Sequence, residues 1–373
     1  MLFRSAAYIN LDAIAKNISL IAEKTNSDLL AVVKADAYGH GLIPVAKTAK
    51  SAGAKWLGTA LLEEALALRA AGIEGPIIAW LTPPGEDFVA ALEHQIDLSI
   101  SSIETLQEIL RAAKQTQIKP RLHVEIDTGM TRGGIRDNFS QIISSLVAEK
   151  SNFEFVGLWS HFARADEPNE NFTKLQLEKF EEVSKLFEEN GLIAQIKHIS
   201  NSAASLNFKS AHKNLIRWGI GMYGLSPDVT QMGDSKKLGL IPAMQVKSKL
   251  QLVKSVAAGA QVGYGGLGKV TQETKIGVVS MGYADGIPRI SSNKAGIFVD
   301  GKRAPLLGRV SMDQFVVDLG INSKAKTGDE VIVFGAGNLG EYTVDEWAAA
   351  AGTINYEIVT RIGVRVPRIY VHE

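Results

Sequence analysis

Short apolar runs recur along the first two thirds of the chain, many followed by a stretch with helical spacing. The runs are Leu29–Val33 (LLAVV), Trp56–Ala60 (WLGTA), Pro76–Leu81 (PIIAWL), Ile96–Ile100 (IDLSI), Arg121–Ile126 (RLHVEI), Phe155–Ser160 (FVGLWS), Ile196–Ile199 (IKHI) and Leu215–Ile220 (LIRWGI). Continuous runs of this length read as strands covered on both faces. Thr59–Ala71, Ile103–Lys114 and Thr173–Asn190 have the spacing of helices. Strands alternating with helices imply parallel pairing. Eight such units within about 190 residues favour a closed (β/α)8 barrel, TIM-like, over an open doubly wound sheet.

The texture changes near Pro227. From Met244 onward apolar and polar residues alternate, as in Gln245–Val253 and Phe315–Asp318, and glycines interrupt them closely. That is the pattern of antiparallel strands. Tyr342–Ala351 reads as a late helix, with Thr343 and Glu346 forming a capping box. The expected fold class is α/β plus β. A barrel is expected over residues 1–232 and a mostly antiparallel β domain over 233–373. They meet in Ser226–Leu240, a stretch rich in Gly, Asp, Ser and Pro. The opening MLFRSAAYIN can join the second domain.

Composition then excludes several classes. Of 373 residues, 46% are hydrophobic, enough for two cores. Lys+Arg and Asp+Glu number 40 each, so the formal net charge is zero and no nucleic-acid partner is expected. There is no cysteine, which removes disulfides, thiolate metal sites and cysteine nucleophiles. No metal is called for. No run reaches the ~18 apolar residues of a membrane span, and the opening residues lack a signal-peptide core. The expectation is a soluble cytoplasmic protein with no membrane partner.

In a barrel the chemistry gathers where strands end. Lys34 and Tyr38 follow the first run, Trp80 lies at the end of the third, and Glu125, Asp127 and Arg132 close the fifth. His161 follows the sixth, Asn201 and Ser202 the seventh, and Gly219, Ile220 and Gly221 close the eighth, just past Arg217. A buried amine binds its proton less tightly and becomes a nucleophile towards carbonyls. Small residues after the last two strands can offer backbone amides to a phosphate. A lysine facing a phosphate pocket points to a phosphorylated aldehyde held as a Schiff base, pyridoxal 5'-phosphate. Each residue also has a plainer reading. Lys34 can be a strand-end charge, His161 a satisfied near-core side chain, Arg132 and Arg217 ion-pair partners, and Ser202 a helix cap. Gly263–Gly268 (GYGGLG) fits a dinucleotide motif, but the segment VTQETKIGVVS just beyond it reads as strand where the motif needs a helix. The glycines instead read as a tight loop presenting Tyr264.

AVVKADAYGHG around Lys34 closely resembles the cofactor-lysine motif of the alanine racemases, barrel-type pyridoxal phosphate enzymes. The resemblance continues through DTGMTRGG (127–134), HFARAD (161–166), HISNSAA (198–204), RWGIGMYGLSP (217–227), VGYGG (262–266), MGYADGIPR (281–289), GRVSMDQ (308–314), TINYE (353–357) and RVPR (365–368). It implies a homodimer with shared active sites that interconverts L- and D-alanine, supplying D-alanine for peptidoglycan. Lys34 would carry the cofactor and act as one base. Tyr264 of the second subunit would be the other. Arg217 would face the pyridine nitrogen. Tyr38, Ser202, Gly219, Ile220 and Tyr356 would hold the phosphate. Arg132 would contact the cofactor's phenolic oxygen and the substrate carboxylate, and Met312 from the second subunit would bind that carboxylate through its amide. His161 would contact Tyr264, Trp80 would line the cofactor pocket, and Tyr283 would narrow the entrance.

Both bases start badly tuned, with pKa values of ~10 for tyrosine and ~10.4 for lysine, so each needs its surroundings. Two positions depart from the family pattern. Glu125 stands where many relatives carry a carbamylated lysine, and is itself an anion able to pair with Arg132. Ser311 stands where relatives often have cysteine. The resemblance also leaves a racemase of serine or another small amino acid, a related decarboxylase, and a non-catalytic cofactor carrier as alternatives.

Overall fold

A computed structural model describes residues 3–167 and 171–373. The chain divides into two compact units. One comprises Ile14–Ala37 and Leu42–Leu240; the other comprises the chain start up to Ala13, Tyr38–Gly41 and Ile241–Glu373.

The larger unit holds eight parallel strands: Asp28–Val32, Trp56–Thr59, Ile77–Ala79, Asp97–Ile100, Arg121–Glu125, Glu154–Trp159, Ile196–His198 and Leu215–Trp218. Each of the first seven pairs with its neighbour in sequence, and the first also pairs with the eighth, with Ala31 opposite Trp218. That cyclic order is the (β/α)8 arrangement and displaces the doubly wound alternative. The seventh and eighth strands are not joined by a regular ladder. Their seam is crossed by the Arg217 amide, which donates to the Ser200 carbonyl at 3.1 Å, and by the Asn214 side-chain amide, which donates to the Gln195 carbonyl at 2.9 Å.

Alternation sorts the strand residues. His123 and Glu125 share one face of the fifth strand, with Leu122 and Val124 on the other. Space for the histidine ring comes from glycine: a Cβ on Gly157 would fall 2.0 Å from His123 Nδ1. The helices start where side-chain caps stand. Ser102 accepts the Thr105 amide ahead of Ile103–Thr116, and Asp87 accepts the Ala90 amide ahead of Phe88–Glu93. After the seventh strand the cap is Asn201, which accepts the Ala204 amide. The plain reading of Ser202 as the cap is thereby corrected, and its hydroxyl is left for other work.

The first strand runs into a helical turn, Lys34–Gly39, with an unusual hand. Ala35, Asp36, Ala37 and Tyr38 have φ values of 52–53°. Left-handed backbone costs an L-residue roughly 1–2 kcal/mol. The larger unit supports its part of the turn with side chains: Glu64 accepts the Ala35 amide and Asp36 accepts the Leu42 amide at 2.7 Å.

The smaller unit is built on a mostly antiparallel sheet. Its long strand Met244–Val256 pairs antiparallel with Ser5–Asn10, Glu330–Phe334 and Thr274–Val279, and the chain-terminal Arg368–Val371 lies parallel to Ser5–Asn10. Helix Val344–Ala351 starts at the expected capping box, where Thr343 and Glu346 satisfy each other's amides. A second late helix, Asn355–Thr360, is not evident from periodicity and carries Tyr356. Among the described residues no helix is long and apolar enough to cross a membrane.

Candidate active site

In the larger unit Lys34, Trp80, Glu125, Arg132, His161, Ser202, Arg217, Gly219 and Ile220 all lie at or just beyond C-terminal strand ends. Lys34 Nζ makes no hydrogen bond among the described residues. Burial and the positive charges of Arg132 and Arg217 lower its pKa, with Glu64 pulling the other way. The strand ends therefore do to this amine what nucleophilic chemistry requires.

Arg217 is 4% exposed, and no carboxylate pairs with it among the described residues. Its Nη1 donates to the His198 carbonyl at 2.9 Å and to His198 Nδ1 at 3.2 Å. Its Nη2 donates to the carbonyls of Ser160 (2.7 Å) and Ile199 (3.2 Å) and to His161 Nδ1 (3.1 Å). The plain reading of Arg217 as an ion-pair partner is thus wrong. Burial lowers its pKa to about 9, opposed by the charge of Glu125 and assisted by that of Arg132. Its Nε–H has no acceptor among the described residues. His161 is held neutral: burial and the charges of Arg217, Arg132 and Lys34 push its pKa well below the usual range. Since its Nδ1 accepts from Arg217, its own hydrogen sits on Nε2.

Glu125 lies against the loop that carries Arg132, with Oε2 3.0 Å from where a Gly133 Cβ would stand. The pairing with Arg132 expected from sequence is not formed, and the Glu125 carboxylate makes no other hydrogen bond or ion pair among the described residues. Burial raises its pKa to about 7, opposed by the charges of Arg217 and Arg132. Arg132 itself is exposed. Trp80 lies over the second strand at Gly58, where a Cβ would fall 2.4 Å from its ring, and its ring centroid is 6.4 Å from that of Trp159.

After the eighth strand the chain turns through Gly219 into a short 3-10 segment, Ile220–Tyr223. Ser202 Oγ accepts the amides of Gly219 (2.9 Å) and Gly221 (3.4 Å). The Ile220 amide between them has no acceptor among the described residues. A Cβ on Gly221 would fall 2.3 Å from the Trp218 ring, so only glycine fits there. This cradle, with one free amide and the Ser202 hydroxyl hydrogen, stands beside the strand that leads to Lys34. An amine of lowered proton affinity, the free Ile220 amide with the Ser202 hydroxyl for an anion, and an unsatisfied Arg217 Nε–H for a ring nitrogen together fit a phosphorylated heteroaromatic aldehyde.

In the smaller unit Tyr38 and Tyr356 come together, ring centroids 6.1 Å apart. Burial pushes the Tyr38 phenol above its usual range. Tyr264 is 71% exposed, in a turn between the paired strands Gln261–Val262 and Gly268–Lys269. Gly263 and Gly265 supply its positive φ values. Met312 and Tyr283 are also exposed and share one loop cluster: the amides of Tyr283 and Ala284 donate to the carbonyls of Ser311 and Met312. Buried Asp285 fixes that cluster by accepting the Gly282 amide and pairing with Arg4 and Arg365. Sequence reasoning missed Asp97, His123 and His198, which line the barrel beneath the site. Their signal was available as polar residues inside apolar runs (IDLSI, RLHVEI, IKHI).

Two family models match the chain: the alanine racemase N-terminal domain over residues 9–227 and the alanine racemase C-terminal domain over 243–370. An alanine racemase of Frankia casuarinae is 45% identical over 372 residues, covering 99% of this chain and 96% of that protein. One from Thermobifida fusca is 46% identical, covering 98% and 97%. A crystal structure of alanine racemase from D-cycloserine producing Streptomyces lavendulae superposes with a TM-score of 0.98 at 43% identity, covering 100% of this chain and 98% of the other. The Bacillus anthracis enzyme with bound L-Ala-P gives 0.91 at 35% identity, covering 100% and 96%.

Proposed function

The chain belongs to the alanine racemase family and is an amino-acid racemase; on that premise we propose that it interconverts L- and D-alanine by two-base proton transfer with pyridoxal 5'-phosphate held on Lys34. The resemblance assigns the phosphate to Ser202, Gly219 and Ile220 with Tyr38 and Tyr356, and the unpaired Ile220 amide supports that assignment. Once bound, the group supplies an electron sink for the charge that develops at the substrate Cα. Arg217 would meet its ring nitrogen through Nε–H, the donor its protein partners leave over. Trp80 would line one side.

Lys34, its proton affinity lowered by burial and two arginines, would take or return the Cα proton on one face. Tyr264 from a second copy of the chain would serve the opposite face. Its exposure supports that role, because an exposed phenol on a tight glycine turn is free to enter another molecule's site. His161, with its hydrogen on Nε2, would meet that phenol. Arg132 and the Met312 amide would hold the substrate carboxylate, and Tyr283 would narrow the way in. Such shared sites make the chain a homodimer, and its product would serve cell-wall peptidoglycan synthesis in the cytoplasm.

The observation that carries the reading is the half-buried Lys34 amine with no hydrogen-bond partner among the described residues, its proton affinity lowered in part by a buried, carboxylate-free Arg217. The test is incubation with L-alanine and pyridoxal phosphate in deuterated water. Loss of optical rotation with deuterium at Cα is expected. Release of carbon dioxide would indicate a decarboxylase, and neither change a carrier. Running serine beside alanine tests the substrate.

A further inference from the structure

We propose that Asp97 and His123 are positioning residues for Arg217, acting through His198. The four side chains form one buried line across the barrel interior. Asp97, His123 and His198 are at most 1% exposed. His123 Nε2 lies 3.2 Å from Asp97 Oδ2, His123 Nδ1 lies 3.0 Å from His198 Nε2, and His198 Nδ1 lies 3.2 Å from Arg217 Nη1.

The ends of this line determine every hydrogen within it. Arginine only donates, so His198 Nδ1 is bare and its hydrogen is on Nε2. That hydrogen points at His123 Nδ1, which must then also be bare, so the His123 hydrogen is on Nε2 and meets the Asp97 carboxylate. Reversing either ring would set two donors face to face at Arg217 or leave the carboxylate facing a lone pair. Burial and the charge of Arg217 lower the His198 pKa well below the usual range, consistent with a neutral ring. The rings cannot swing away. Trp159 stacks on His198 at 10° and 5.8 Å, Trp56 stands edge-on to His123, and Gly157 gives His123 its seat. Arg121 clamps the far end, bonding both Asp97 oxygens at 2.9 and 3.2 Å.

The arrangement has a chemical point. A carboxylate placed directly on Arg217 would orient it but also neutralise its charge. Two neutral rings pass on the orientation and keep the carboxylate's charge two side chains away. The terminal nitrogens of Arg217 are thereby occupied and only Nε–H is left over, which the proposed function uses; the catalytic arm of this inference rests on that reading.

The experiment compares Asp97→Asn and Arg121→Gln with the parent. Side-chain ¹⁵N NMR of histidine-labelled apoprotein at neutral pH reads the hydrogens directly. The parent should show His123 and His198 each as a single tautomer with hydrogen on Nε2. In Asp97→Asn the amide oxygen can still accept and Arg217 still donates, so both rings should keep their tautomers, while the His123 ring-nitrogen signals shift with the loss of the charged acceptor. In the holoenzyme Asp97→Asn should lower kcat for alanine at least tenfold, change KM less than about threefold, and shift the absorption band of the bound cofactor. Arg121→Gln keeps the carboxylate, so it should lose stability while keeping the tautomers, the band and kcat within about twofold. A parent spectrum with either ring's hydrogen on Nδ1, or unmoved His123 signals in Asp97→Asn, would overturn the proposal. So would an activity loss shared equally by Arg121→Gln, which would mark the line as packing only. Failure of the proposed function reads differently: the parent would lack the absorption band and racemisation, while the apoprotein spectra would still decide the line.

Discussion

Arg217 donates from Nη1 to the carbonyl oxygen of His198 at 2.9 Å, across the seam that the barrel's strand ladder leaves open. With further bonds to the Ser160 and Ile199 carbonyls, this one side chain completes hydrogen bonds that a regular strand pair would otherwise supply. A residue placed at the candidate site is therefore also part of the wall.

Arg217→Gln should make the apoprotein markedly less stable. Glutamine has two donors and a shorter reach, so buried carbonyls lose partners at about 1–3 kcal/mol each. A drop of about 3 kcal/mol in urea unfolding is expected. A loss below about 1 kcal/mol would show that the seam does not depend on the guanidinium.

Glu125→Gln tests a titration. The fold raises this carboxyl to about 7 from a value of 4.5, so the folded state favours its protonated form. The contribution to stability is complete below the unfolded value and is lost as pH rises through about 7, a change of about 3 kcal/mol. Relative to the parent, the glutamine variant should gain apoprotein stability between about pH 5 and about pH 8. A difference that stays constant with pH would contradict the shift.

Gly221→Ala probes the cradle. The added methyl would strike the Trp218 ring, at about 1–3 kcal/mol of overpacking. It should weaken pyridoxal phosphate about tenfold while leaving the weaker binding of phosphate-free pyridoxal nearly unchanged. Equal losses for both would place the phosphate elsewhere.

Tyr264→Phe should stop racemisation while one base survives. In deuterated water a single enantiomer of alanine should then exchange its Cα proton without inverting. Exchange of both enantiomers at parental rates would remove Tyr264 from the chemistry.

The eight strands were legible because a strand covered on both faces must be apolar throughout, and LLAVV or PIIAWL has few other ways to be buried. The strand-end positions came from that count. The contacts of the side chains there did not. Nothing in LIRWGI says that its arginine turns sideways to meet the carbonyls of His198 and Ile199 rather than a carboxylate. Glu125 and Arg132 are seven positions apart with opposite charges, yet the glycines at 133 and 134 let the loop lie against the glutamate without an ion pair. Ser202 and Asn201 are both capable caps, and only the backbone decides which serves. The line from Asp97 to His198 joins residues 26 and 75 positions apart, beyond any local pattern. The reversed hand after Lys34 was hidden because Ala35, Ala37 and Tyr38 carry no sign of positive φ, and Asp36 alone among the four is of a type enriched there.

That reversed turn restricts how this chain can vary. Val, Ile and Thr are poorly tolerated at left-handed backbone, whatever their side chains would touch. In a saturation library, positions 35–38 should be depleted of all three, even where the side chain meets nothing. Lys34 and the four residues behind it would therefore drift through sequence space as one inherited block, kept together by handedness before any selection on reactivity acts.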